Sequence, residues 1–121
     1  MRLGHVTGII MYKDIELCWF DANDYFVKYE PIGICKEYTP WEFREGYTAK
    51  AVLDWLYDRL PEDNRQGLEK RLQEYRINPI GEEIFKVSCG RALGDSCWIK
   101  FKDGPQTYLE VCKQEDDAYE F

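Results

Sequence analysis

The sequence has only one histidine, His5, and no pair of cysteines separated by two residues. The usual ligand spacing of structural zinc sites is therefore missing, and so is a histidine close in sequence to a cysteine nucleophile. The glycine motifs that cradle phosphate groups, G-x-G-x-x-G and G-x-x-x-x-G-K, do not occur either. We therefore expect no metal, no cofactor and no enzymatic activity.

The chain also lacks long apolar runs, a secretory pattern at its start and any strongly basic stretch. With a formal net charge of −7, direct binding to nucleic-acid phosphate is disfavoured, and a partner protein with a basic surface is favoured. No membrane partner is expected. The five cysteines are odd in number, which predicts reduced thiols and a cytoplasmic protein.

What the sequence does contain is enough apolar material for a folded core. Of its 121 residues, 45% are hydrophobic and 16% aromatic, which is too rich for a disordered chain. We predict a single compact domain over residues 1–114. The last seven residues, 115–121, carry four acids and no base, and they predict an acidic C-terminal tail.

The order of β-rich and helical patterns predicts an α+β fold. Residues 5–38 indicate an N-terminal antiparallel β-meander, with 33–38 as a possible fourth short strand. A central helix pair is predicted over 48–60 and 62–75, with Thr48 as N-cap, and a short third helix over 82–89. CWIKF and QTYLEV, joined by an Asp-Gly turn, predict a C-terminal β-hairpin. The expected core residues are Ile10, Leu17, Val52, Leu56, Leu68, Leu72 and Trp98.

The helix pair has the outline of a DNA-binding helix-turn-helix, but its second helix has nearly balanced charges. Little net phosphate neutralisation is available there, so this function is disfavoured. Arg59 and Arg65 are interpreted as surface ion-pair partners of neighbouring acids, each worth up to about 1 kcal/mol.

The candidate partner-binding residues are acids of the first sheet together with one aromatic residue. Acids outnumber Lys28 and Lys36 in this region, and Trp41, in PWEF, is the tryptophan most favoured to be exposed. If the acids share a face, they form a negative patch with an aromatic residue at its edge, which suits a basic partner. The predicted set is Glu16, Asp21, Asp24, Glu30, Glu37 and Trp41.

Three segments resemble a known family: MYKDIELCWFD, LDWLYDRLPEDNR and LGDSCWIKF. They are similar to the small N-terminal accessory region that precedes HipA-like kinase domains, and to stand-alone relatives of that region. Within them, the residues that match the family's spacing are Leu53, Trp55, Arg59 and Arg65 in the second segment and Leu93, Asp95, Trp98 and Ile99 in the third. The resemblance implies a non-enzymatic module that regulates or inhibits a partner, such as an antitoxin for a kinase-like toxin.

Two other functions stay open at this point. One is a phage or mobile-element inhibitor of a host defence nuclease, similar to an anti-CRISPR protein, whose acidic surface blocks a nucleic-acid-binding groove. The other is a small enzyme with an unrecognised site. The sequence also leaves open the oligomeric state, and whether the acidic face or the helix pair forms the interface.

Overall fold

The fold is α+β, as the sequence predicts. The computed structural model describes residues 1–61, 67–92 and 95–113. Its elements, in chain order, are β1 (Val6–Tyr12), β2 (Ile15–Ala22), β3 (Val27–Pro31), a 3₁₀ helix (Trp41–Phe43), α1 (Ala49–Asp58), α2 (Leu68–Glu74), α3 (Gly81–Ser88), β4 (Cys97–Lys100) and α4 (Tyr108–Lys113).

The four strands form one antiparallel sheet in the order β3-β2-β1-β4. The first three strands are the predicted meander. Alternate residues point to opposite faces of the sheet. We call the face that carries Ile10, Phe20 and Ile99 the core face, because these residues are buried in the main apolar cluster with α1. The opposite, outer face carries Ile9 and Trp19.

Helix α1 begins where the sequence predicts. The Thr48 hydroxyl oxygen accepts a hydrogen bond of 3.0 Å from the Ala51 amide, so Thr48 is the N-cap. Val52 and Leu56 are fully buried against the core face. The helix ends at Asp58, with Arg59 as its C-cap, and therefore stops before the predicted end at residue 60.

The second helix of the predicted pair is shorter than expected. Gly67 has a φ of +79°, in the left-handed region, so no continuous helix can run from 62 to 75. Helix α2 begins after this glycine, at Leu68, and buries Leu68 and Leu72 beside Ile84 of α3. Residues 62–66 of the prediction lie outside the described residues.

Helix α3 covers Gly81–Ser88, one residue earlier than predicted at each end. Cys89 and then Gly90 have φ values of +53° and +65°, which stop the helix. A Cβ atom added at Gly90 would lie 2.7 Å from the Ile99 side chain. Glycine at this position therefore allows the end of α3 to approach β4 closely.

The predicted C-terminal hairpin is wrong in its second strand. β4 does form, but it pairs with β1, and Tyr108–Lys113 is helix α4. The Thr107 hydroxyl accepts a hydrogen bond of 3.2 Å from the Glu110 amide, and Glu110 Oε2 accepts one of 3.1 Å from the Gln106 amide. These contacts resemble a capping box, which starts a helix and removes the segment from strand pairing.

The possible fourth strand at 33–38 does not form. The amides of Ile32 and Gly33 both donate to the Leu17 carbonyl, after which the chain leaves the sheet. Ile34 is 82% exposed, which is consistent with a surface loop.

All seven expected core residues are buried. The predicted domain boundary at 114 and the tail at 115–121 lie outside the described residues. No helix in the described ranges has the length and apolar character needed to cross a bilayer.

Candidate protein-interaction groove

A groove of about 470 Å³ lies between the 3₁₀ helix and the exposed side of α1. Phe43 is 3% exposed and contacts Tyr47, with ring centroids 4.6 Å apart, which anchors the 3₁₀ helix to the core. Because α1 buries Val52, Trp55 and Leu56, its other side faces outward. The groove is lined by Trp41, Glu42, Arg44, Glu45, Gly46, Thr48, Lys50, Ala51, Asp54, Tyr57 and Asp58.

Trp41 is the most exposed tryptophan, with 71% of its surface accessible. The Arg44 guanidinium lies over its ring, 3.8 Å from the centroid, and Arg44 Nη1 donates a hydrogen bond of 2.9 Å to the Trp41 carbonyl oxygen. The ring therefore already accepts a cation on one face, in the geometry that a cation–π contact needs. Tyr57, 42% exposed, is a second aromatic residue in the groove.

The groove carries more negative than positive charge. Glu42, Glu45, Asp54 and Asp58 line it, against Arg44 and Lys50. Lys50 Nζ lies 2.6 Å from Asp54 Oδ2, an exposed pair one helical turn apart on α1. The net charge of the lining favours a positively charged ligand.

Two of these carboxyl groups interact directly. Partial burial, followed by a hydrogen bond with the Asp58 carboxyl, raises the pKa of Glu42 above its ordinary value. Two carboxylates in contact repel each other, so a shared proton stabilises the pair. A cation bound beside Glu42 and Asp58 would reduce the same repulsion between the two carboxylates.

The structure brings together three of the sequence-predicted acids. Cross-strand pairing places Glu16 opposite Met11, Asp21 opposite Thr7 and Glu30 opposite Trp19, so all three acids lie on the outer face of the sheet.

Two of these three acids already have partners within the chain. Glu16 Oε2 lies 2.7 Å from Lys100 Nζ. Asp21 Oδ1 lies 2.6 Å from His5 Nε2 and accepts a hydrogen bond of 3.0 Å from the Thr7 hydroxyl. These hydrogen bonds lower the pKa of Asp21. The outer face is consequently less negative than the count of its acids suggests.

The other predicted residues do not belong to that face. Asp24 lies in the β2–β3 turn, where its carboxylate accepts hydrogen bonds from the Leu3 amide, at 2.7 Å, and from the Gly4 amide. Asp24 therefore anchors the N-terminal segment. Glu37 is exposed in the loop after β3.

Trp41 is exposed as predicted, but the acids that line the groove with it differ from the predicted ones. They follow Trp41 directly or lie on α1. For the two acids on α1, the signal in the sequence was the four-residue spacing of Lys50, Asp54 and Asp58, opposite the apolar stripe of that helix.

The buried thiols do not offer an activated nucleophile. Burial raises the pKa of Cys97 to about 12 and that of Cys18 to about 11, and it also raises the pKa of Cys89. These thiols are protonated at neutral pH, whereas the thiolate is the reactive form. Within the described ranges, no three His, Cys, Asp or Glu side chains are placed to hold a metal ion.

Comparison of the chain with protein-family models, with curated proteins and with solved structures finds no match. The resemblance to the HipA accessory region therefore rests on the three sequence segments alone.

Proposed function

We propose that this chain is a non-enzymatic protein-interaction module that binds a basic segment of a partner protein in the groove beside Trp41. The observation that carries the proposal is the combination of a 71% exposed tryptophan with four carboxyl groups in one groove. An exposed indole supplies contact area and a π face, and the carboxylates supply complementary charge. An Arg or Lys side chain of the partner satisfies both requirements.

Two classes of partner fit this proposal. The HipA-like resemblance favours a kinase-like toxin, for which the chain acts as antitoxin or modulator. A host defence nuclease is the second class, because an acidic protein can occupy the basic groove that normally binds nucleic acid. We further propose that the protein acts in the cytoplasm, since all five cysteines are free and four of them are buried.

The proposal is tested by affinity capture from the cells that encode the chain. The bait carries either the natural groove, Trp41→Ala, or the double change Glu45→Gln with Asp54→Asn. A matched control removes two exposed acids from α2 by Glu69→Gln with Glu74→Gln. We expect one protein to be captured by the natural chain and the control, and to be lost with both groove variants.

The captured protein then decides between the partner classes, by kinase-like or nuclease sequence. Capture that survives both groove variants would contradict the proposal. Loss with the α2 control alone would place the interface on the helix pair.

A second candidate function, a small enzyme, is favoured by the Glu42–Asp58 contact. Two carboxyl groups in contact, of which Glu42 has a raised pKa, can act as general acid and general base. Hydrolysis of chromogenic ester or glycoside substrates by the natural chain, abolished by Glu42→Gln and by Asp58→Asn, would support this function. Absence of turnover would leave the groove as a binding site.

A further inference from the structure

Strand β3 forms an exposed edge of the sheet. It pairs with β2 on one side, and no strand of the described ranges pairs with its other side. Lys28, Tyr29, Glu30 and Pro31 are all exposed. The opposite edge is different, because the Ile99 amide of β4 donates a hydrogen bond of 2.7 Å to the Cys89 carbonyl at the end of α3.

The hydrogen bonds around β3 show which backbone groups point outward. The Asn23 amide donates to the Phe26 carbonyl and the Ile32 amide donates to the Leu17 carbonyl, both at 2.9 Å. In an antiparallel ladder, hydrogen-bonded pairs alternate with non-bonded pairs. The backbone groups of Lys28 and Glu30 therefore face β2, and those of Val27, Tyr29 and Pro31 point to the open edge.

The edge is self-complementary about Tyr29. Counting outward from this residue, Lys28 is matched with Glu30, Val27 with Pro31, and Phe26 with Ile32. We propose that two copies of the chain pair antiparallel through β3, with a two-fold axis at Tyr29, so that their sheets become continuous. This dimer does not depend on the function proposed for the groove.

Each matched pair has a favourable contact in this arrangement. Lys28 of one copy lies opposite Glu30 of the second copy in a non-bonded pair, where side chains approach most closely. Phe26 and Ile32, 54% and 49% exposed, form a second cross-strand pair of apolar residues. Tyr29 exchanges two backbone hydrogen bonds with its counterpart, and the Val27 amide donates to the Pro31 carbonyl of the second copy.

Lysine and proline on an edge strand disfavour pairing with another strand, and this effect opposes the proposed dimer. Pro31 does not block this register, since it contributes only a carbonyl. A five-residue edge buries less area than the roughly 800 Å² per partner of standard interfaces. We therefore expect a dissociation constant of about 10–100 μM.

The test is sedimentation equilibrium of the full chain from about 1 μM to about 1 mM. Lys28→Glu alone, or Glu30→Lys alone, places like charges opposite each other twice per dimer and should weaken self-association by about tenfold or more. An equimolar mixture of the two variants restores opposite charges at both positions, so it should form a heterodimer as tight as the natural dimer. Matched controls are Lys36→Glu and Glu74→Lys, which make the same charge changes at exposed positions away from β3.

A natural chain that stays monomeric at about 1 mM would overturn the proposal. It would equally be overturned by a dimer that tolerates both single variants, or by a mixture that associates no better than its components. Circular dichroism of each variant verifies that a loss of association is not a loss of fold.

Discussion

Arg59 shows how much a single residue's environment changes its energetic role. The sequence predicts a weak surface ion pair with a neighbouring acid. In the structure, its partner is Asp95, 36 positions away, and the two side chains are only 7% and 18% exposed. The guanidinium also lies 4.5 Å from the centre of the Trp55 ring, and Asp95 accepts a hydrogen bond of 2.8 Å from the Cys97 amide. This pair therefore ties the end of α1 to the start of β4.

We predict that Arg59→Met destabilises the protein by about 3–5 kcal/mol, because it leaves Asp95 buried without its cation. Lys50→Met is the matched control, since it breaks the exposed Lys50–Asp54 pair on the same helix and should cost less than about 0.5 kcal/mol. Urea denaturation of both variants measures the difference. Equal costs for the two variants would contradict the structural role of the Arg59–Asp95 pair.

The raised pKa of Glu42 gives the groove a predictable pH dependence. A bound cation stabilises the ionised form of the Glu42–Asp58 pair, so binding releases protons, and affinity rises as the pH rises above the ordinary glutamate range. We expect Glu42→Gln to flatten this rise. Fluorescence titration of the natural chain and the variant with an arginine-rich peptide at several pH values measures it. Identical pH profiles would show that Glu42 does not take part.

At the scale of elements, the sequence predicts a helix correctly where an N-cap residue and the spacing of apolar residues indicate the same segment. For α1, Thr48 and the buried stripe of Val52 and Leu56 both indicate the same helix, and the structure confirms it. The segment QTYLEV has β-favouring residues that predict a strand, yet Thr107 and Glu110 cap a helix there. The local capping contacts outweigh strand propensity, which depends strongly on context.

Helix α4 matters because it covers one end of the outer face, where Val111 and Tyr108 pack on Met11 and Trp98. We predict that Thr107→Ala costs about 1 kcal/mol, through loss of the cap. Amide hydrogen exchange should then become faster in 108–113, while exchange in β2 changes little. Thr39→Ala, at an exposed loop position, is the control and should change stability by less than about 0.5 kcal/mol. Unchanged exchange in α4 would show that Thr107 does not hold this helix.

At the scale of the whole molecule, the sequence predicts an acidic protein with an exposed tryptophan, but not which acids lie near that tryptophan. The predicted acids were close together in sequence. Folding distributes them between the outer face, the β2–β3 turn and a surface loop, where Lys100, His5 and the N-terminal amides occupy three of them. The acids beside Trp41 come partly from α1, and only the packing of the 3₁₀ helix against that helix brings them together.

The central claim is that the groove beside Trp41 is where a basic partner binds. It is tested most directly by two-dimensional NMR of the indole N–H signals of Trp19, Trp41, Trp55 and Trp98, during titration with a short arginine- and lysine-rich peptide. An acidic peptide of the same length serves as the control. Trp41 lies in the groove and Trp19 on the outer face, while Trp55 and Trp98 are fully buried.

We predict that the basic peptide shifts the Trp41 signal and the amides of the groove, and leaves Trp19, Trp55 and Trp98 unchanged. Glu45→Gln with Asp54→Asn should weaken the effect several-fold, whereas Glu69→Gln with Glu74→Gln should not. A shift of the Trp19 signal without one at Trp41 would contradict the account and place binding on the acids of the outer face.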